Sequence, residues 1–477
     1  MKQNSLAKSA FYKFVLNFFN IVLPVVIAPY ILRVIGPTNL GKVQYSLNIM
    51  GYFLVFSTFG IYQFGIREVS KCREDKKKLN ELFSNLMVIS IITSAITIIV
   101  FLTFITFKYR SESIYILLLL CTIEYITNAF YVEWITEGLE QFGFITKKTI
   151  VLRSIYAITL LLLVKNPEHY VIYLILLIAT NFCNNFISFI YIRRYVKFTF
   201  KNIKIVRYIA PLFYVLIMNN TNILYTQFDK TLLGQQNIVY FTTAQTIVMA
   251  VFALSNTLIQ VTIPRISSVV DIDKSRFEKI LEISTKINFV FVIPMAVGLI
   301  AIAGEIINLY AGSNYSESIN ILKAFGVYLV ILIAENITSN QIMYPYNKEK
   351  VLIKHIFVGG ILNVVLDLIL FLNGYYSGFT TVITTLLANF IVVLLNYIYI
   401  VRELKIKLAI FTLSTIKYLI GSLTFFIVAH ISRLLFNSNA VVACVTIVGS
   451  AIIYGVMLLI TKDDTLNMIL SKFKIKK

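Results

Sequence analysis

Charged side chains set inside apolar runs are where this chain could do chemistry: Arg33, Glu124, Glu133, Arg153, Asp229, Lys230, Glu305, Glu335, Asp367 and Lys417. An ionisable group at membrane depth is costly and normally faces a cavity, a partner or a transport path. Glu124 and Asp367 could bind a coupling proton or sodium ion, or each could pair with a basic side chain, Arg153 being the obvious partner for Glu124. Arg33 and Lys230 could offer cations to an anionic substrate from outside, or snorkel to the interface. Arg67 and Arg265 could form an inner gate for phosphate, or only anchor the topology.

Other chemistries find no seat. Gly36-Pro37-Thr38-Asn39-Leu40-Gly41-Lys42-Val43 nearly matches a phosphate-cradling loop, but Val43 stands where a hydroxyl must meet magnesium and no strand precedes the segment. It reads instead as a turn between two spans, so nucleotide is not expected. His169, His355 and His430 are scattered, and no compact cluster of His, Cys and carboxylate suggests a metal. No nucleophile with partners can be assembled, so the chain is read as a non-enzyme without a cofactor.

The elements that must hold these residues are membrane helices. The chain has 477 residues, 58% of them hydrophobic and only 14% charged, against about 45–50% and about 25% in soluble domains. Apolar runs of spanning length fall near 10–32, 44–64, 82–107, 113–135, 149–164 and 170–191, then near 209–228, 239–263, 287–310, 321–342, 351–372 and 377–400, and last near 408–435 and 440–460. An all-α integral membrane protein of fourteen spans results. The net charge of +20 belongs mostly to connections on one side, such as 67–78, 193–207 and 472–477. That places both termini in the cytoplasm, with the basic loops facing anionic lipid rather than nucleic acid. The start of the chain, with Lys8 and Lys13 leading into a long apolar run, reads as an uncleaved first span.

Sliding the chain by 198 residues lays Gly36 on Gly234, Leu40 on Ile238, Ser57 on Ser255, Arg67 on Arg265 and Ser70 on Ser268. Spans 1 and 2 thereby match spans 7 and 8 in the same orientation, a parallel repeat of two six-helix lobes. The expected division is 1–198 for the first lobe, 199–400 for the second, and 401–477 for spans 13 and 14 with a basic tail. The matched spans are also the polar ones, carrying Asn17, Asn20, Asn48, Ser57, Gln63, Asn219, Asn222, Asn256 and Gln260. They could line a wet cavity, or simply join helices by hydrogen bonds.

Arg33 through Lys42, Gly65-Ile66-Arg67-Glu68-Val69-Ser70-Lys71 and Asp229-Lys230-Thr231-Leu232-Leu233-Gly234 together resemble the Wzx-like polysaccharide flippases, a branch of the multidrug/oligosaccharidyl-lipid/polysaccharide exporter superfamily. The resemblance covers essentially the whole chain. It implies a flippase that moves an undecaprenyl-diphosphate-linked oligosaccharide, a capsule, O-antigen or teichoic-acid-type precursor, across the bacterial cytoplasmic membrane by alternating access. Arg33, Lys230, Arg67 and Arg265 are then the nearest candidates for the diphosphate, and Asn219, Asn222, Asn256 and Gln260 for sugar hydroxyls. A cation-coupled drug antiporter of the same superfamily is the alternative, and a membrane glycosyltransferase or polymerase a more distant one.

Overall fold

In hydrocarbon every backbone N–H and C=O must be satisfied within its own segment, which leaves apolar runs of this length no option but helix. The computed structural model describes residues 6–270, 272–408, 410 and 412–468, with side chains described except at 6–10, 21 and 218–226. All regular elements among the described residues are helical. In chain order they are α1 (Leu6–Thr58), α2 (Ile61–Cys72), α3 (Lys76–Tyr109), α4 (Tyr115–Asn128), α5 (Glu133–Gly138), α6 (Phe142–Leu163), α7 (Tyr170–Ile192) and α8 (Val206–Ser267). They continue with α9 (Lys274–Ala301), α10 (Ala303–Tyr310), α11 (Glu317–Asn336), α12 (Glu349–Leu372), α13 (Gly378–Arg402), α14 (Leu413–Leu435) and α15 (Asn439–Ile460). A π-helical segment, Ile337–Met343, extends α11.

Eleven stretches among the described residues are long and apolar enough to cross a membrane. The further expected spans have identifiable places. α1 is 53 residues long, about 80 Å at the helical rise against a hydrocarbon core of about 30 Å, so it holds two crossing lengths. α6 carries Lys147, Lys148 and Arg153, which lowers its apolarity. The apolar helix Val206–Ile217 opens α8 and runs on into 218–226.

The turn expected over 33–43 is narrower than the sequence suggested. Helix continues on both sides, and only Gly36, at φ 75° and ψ 167°, departs from it. Pro37 begins the next helix, where its missing N–H costs nothing. α8 is interrupted in the same way at Gly234, at φ 68° and ψ −178°. The span expected over 113–135 holds as one apolar stretch, Tyr115–Gly138, but its helix is interrupted, since α4 stops at Asn128 and α5 starts at Glu133.

Two compact units divide the chain, Met1–Val239 and Tyr240–Lys477, and the division falls inside α8 just past Gly234. In the first unit α1 binds the opening half of α8, Asn48 Nδ2 donating to the Gln227 carbonyl (3.2 Å) and to Thr231 Oγ1 (2.9 Å). Where lipid replaces water, close packing and such polar contacts hold helices together. α2 and α5 meet through glycine: a Cβ at Gly65 would lie 2.6 Å from the Trp134 ring, and one at Gly138 would lie 2.6 Å from Val69. Trp134 is fully buried there, an anchor whose truncation costs about 3–5 kcal/mol. Phe101, from α3, makes edge contacts with Phe53 (5.1 Å) and Tyr125 (5.0 Å) in a second core.

In the second unit α9 packs on α14 and α11 on α13. α14 and α15, expected to lie outside the repeat, are joined to this unit: Tyr454 OH donates to the Val290 carbonyl (3.0 Å), and Arg433 binds Glu305 through two hydrogen bonds of 2.6 and 2.9 Å.

Candidate functional site

The polar residues of the first unit converge on two adjoining cavities. One, of about 380 Å³, is lined by Lys13, Asn17 and Asn20 of α1, Tyr62 of α2, Glu133 and Glu137 of α5, Arg153 of α6, and Asn181 and Asn184 of α7. Its neighbour, of about 440 Å³, is lined by Thr58, Gln63, Glu124, Asn128 and Tyr131, and shares Tyr62, Asn181 and Asn184. Asn17 and Asn20 were legible as cavity candidates from span 1, and Gln63 from span 2.

Burial forces the charges around these cavities into defined pairs. Lys148, whose side chain is 3% exposed, donates to Glu133 at 2.6 Å, to Ser188 Oγ at 2.6 Å and to the Asn184 carbonyl at 3.3 Å. Glu137 accepts the Tyr62 hydroxyl at 2.6 Å. Glu124 is half-buried and accepts from Asn181 Nδ2 at 3.0 Å, while its Oε2 is buried without a hydrogen-bond partner. Arg153 is not its partner; that guanidinium feels Glu133 instead. The reason is geometric, since α7 brings Asn181 to Glu124 and the break after Asn128 carries Glu133 towards α6.

The other carboxylate singled out by sequence lies in the second unit. Asp367 on α12 is fully buried and accepts from Asn363 Nδ2 (3.0 Å) and from the Thr384 hydroxyl of α13 (2.5 Å). Carboxylate, amide and hydroxyl oxygens are the donor types a small hard cation takes. The i, i+4 spacing of Asn363 and Asp367 was available in the sequence and marks one helix face.

Three of the four basic candidates sit near a helix end or a kink, and Arg67 stands midway along α2. Arg33 is exposed just before Gly36, and Lys230 is half-buried just before Gly234. Arg67 is exposed, paired with Glu68 at 3.1 Å, and lies over the Phe64 ring. Arg265 is exposed in the last turn of α8. Asn256 is half-buried, with an unpartnered Oδ1, and Gln260 is exposed. Asn219 and Asn222 lie outside the residues whose side chains are described.

Missed from sequence were the Lys148–Glu133 pair and the role of Asn181 and Asn184. Lys148 looks like one more basic loop residue, because only the packing of α5, α6 and α7 shows which side chains it meets.

A multi-span helical membrane protein with ionisable groups held around polar-lined cavities is the architecture of a transporter. The fold is similar to that of lipid II flippase MurJ in an inward closed conformation, at a TM-score of 0.75 and 16% identity over 96% of this chain and 100% of that one. Residues 6–270 match the family model described as polysaccharide biosynthesis protein, and the chain belongs to that family. A relative from Escherichia coli (strain K12), named "Putative O-antigen transporter", is 23% identical over 376 residues, 76% of this chain and 89% of the relative. One of the same name from Shigella dysenteriae is 22% identical over 400 residues, 81% of this chain and 98% of the relative.

Proposed function

We propose that this protein is a flippase that carries an undecaprenyl-diphosphate-linked oligosaccharide from the inner to the outer leaflet of a bacterial cytoplasmic membrane. Such a cargo has a tail at home in the bilayer, whereas its diphosphate and hydroxyls cannot cross hydrocarbon cheaply. The observation that carries the reading is the pair of polar cavities inside a unit whose helices are otherwise apolar. Family membership and the names of the two relatives support it.

In this reading the chain makes fourteen crossings with both termini in the cytoplasm, as two lobes, 1–198 and 199–400, related by a parallel repeat, followed by 401–477. Rocking of the lobes exposes the cargo alternately to either side. Arg33 and Lys230 meet the diphosphate from outside and Arg67 and Arg265 from inside, while Asn219, Asn222, Asn256 and Gln260 serve the sugar. Glu124 and Asp367 hold the coupling ion, a proton or sodium. The unpartnered Oε2 of Glu124 is an acceptor that such an ion would satisfy.

The test is to delete the gene and extract the lipids. A lipid-linked oligosaccharide should accumulate on the cytoplasmic side. Wild-type amounts and sidedness of every such lipid contradict the proposal.

A further inference from the structure

We infer that the cavity bounded by Tyr62, Glu133, Glu137, Arg153, Asn181 and Asn184 is a saccharide-binding site, which rests on the flippase reading and adds which part of the cargo the first unit holds. Its volume of about 380 Å³ falls within the roughly 300–1,000 Å³ of small-molecule sites, and the adjoining cavity gives further sugar units room beyond the shared wall.

The wall chemistry selects hydroxyls over phosphate. Glu133 and Glu137 only accept, Lys13 and Arg153 only donate, and the amides of Asn17, Asn20, Asn181 and Asn184 do both. A diphosphate, which brings only acceptor oxygens and negative charge, would meet two carboxylates that offset the two cations, leaving no net positive charge to hold it. A sugar hydroxyl both donates and accepts, and so matches the mixed wall. Asn20 Oδ1 is buried with no partner; as an acceptor, it calls for a donor, which a hydroxyl supplies and a phosphate oxygen does not.

The wall is also held in place before any ligand arrives. Lys148 fixes Glu133, and Tyr62 fixes Glu137, each at 2.6 Å, so less ordering is left to be done on binding. Tyr62, which lines both cavities, and Tyr131 of the adjoining one stand 5.9 Å apart with rings inclined at 35°, and aromatic rings suit the C–H side of a pyranose.

The test uses the full chain in detergent micelles with two probes: the lipid-linked oligosaccharide extracted from cells lacking the protein, and bare undecaprenyl diphosphate. Native mass spectrometry reads binding. A parallel signal comes from Trp134, the chain's one tryptophan, which neighbours Glu133. Wild type should bind both probes. Glu137→Gln combined with Asn184→Ala should weaken the glycosylated lipid about tenfold or more, as expected when hydrogen bonds to a substrate's hydroxyls are lost, and leave the bare lipid unchanged. Tyr62→Phe, which keeps the ring and the cavity volume but frees Glu137, should weaken the glycosylated lipid to a lesser extent and leave the bare lipid unchanged. Equal weakening of both probes, or of neither, overturns the saccharide site. If wild type binds neither probe, the flippase reading itself fails, and the site falls with it.

Discussion

Gly36 and Gly234 adopt one backbone conformation, φ 75° with ψ 167° and φ 68° with ψ −178°, and each interrupts a helix that continues on both sides. That region of φ/ψ space is open essentially only to glycine. No atom lies within 4 Å of the place a Cβ would occupy at either position, so the demand comes from the backbone and not from crowding. These are also the two positions that a shift of 198 residues superposes, which supports the proposed parallel repeat.

Gly36→Ala and Gly234→Ala should each cost about 1–3 kcal/mol of backbone strain without any steric clash. Thermal unfolding in detergent is expected to show a lowered midpoint for both, and a cell-based export assay a fall in polymer. An Ala variant as stable and as active as wild type at either site would mean that the kink relaxes into continuous helix at no cost.

The coupling proposal makes a separate demand on the two carboxylates. Asp367→Asn preserves the contact with Thr384 and removes the charge; it should abolish the dependence of transport on a proton or sodium gradient, and Glu124→Gln should do the same if both sites take part. Gradient dependence that survives both substitutions assigns Asp367 to helix joining through Asn363 and Thr384.

How far the sequence reaches is plain from these residues. Apolar length and basic loops are properties of consecutive residues, so the helices and their order could be read directly, and Asp367 was conspicuous because a carboxylate stood alone in an apolar run. Partners depend on which faces meet in space. Hence Arg153, a cation set inside a neighbouring apolar run, looks like the partner of Glu124 when α7 supplies Asn181, and Lys148, just ahead of the run at 149–164, is in fact buried against Glu133 and Ser188. The kinks fell between these cases: Gly36 and Pro37 announced a break, but not that a single residue would suffice.

For the basic residues, the double substitutions Arg33→Ala with Lys230→Ala, and Arg67→Ala with Arg265→Ala, should depress flipping while expression and membrane insertion stay intact, since the remaining basic loops still set the topology. Unchanged polymer export in both doubles would make these residues topology anchors and place the diphosphate elsewhere.

Asp463, just beyond α15, gives a pH-dependent prediction. Burial alone would raise its carboxyl, but the Lys417 ammonium at 3.2 Å and the N–H groups of Leu466 and Thr465 outweigh burial and hold it below the usual carboxylate range. With the folded value below the unfolded one, its stabilisation is complete above about pH 3.9 and is lost as pH falls through the folded value. Asp463→Asn should therefore cost about 1–3 kcal/mol at pH 7 and progressively less in acid. Equal penalties at pH 7 and pH 3 would contradict the assignment.

The most direct measurement is transport by the purified chain. Vesicles are loaded with the lipid-linked oligosaccharide extracted from cells lacking the protein, and a membrane-impermeant glycosidase reports the fraction of its sugar on the outside over time. The account predicts that vesicles containing the protein make the inner-leaflet pool accessible many times faster than protein-free vesicles, and that bare vesicles retain a protected half. The same slow exposure with and without the protein, in vesicles shown to contain folded chain, would contradict it.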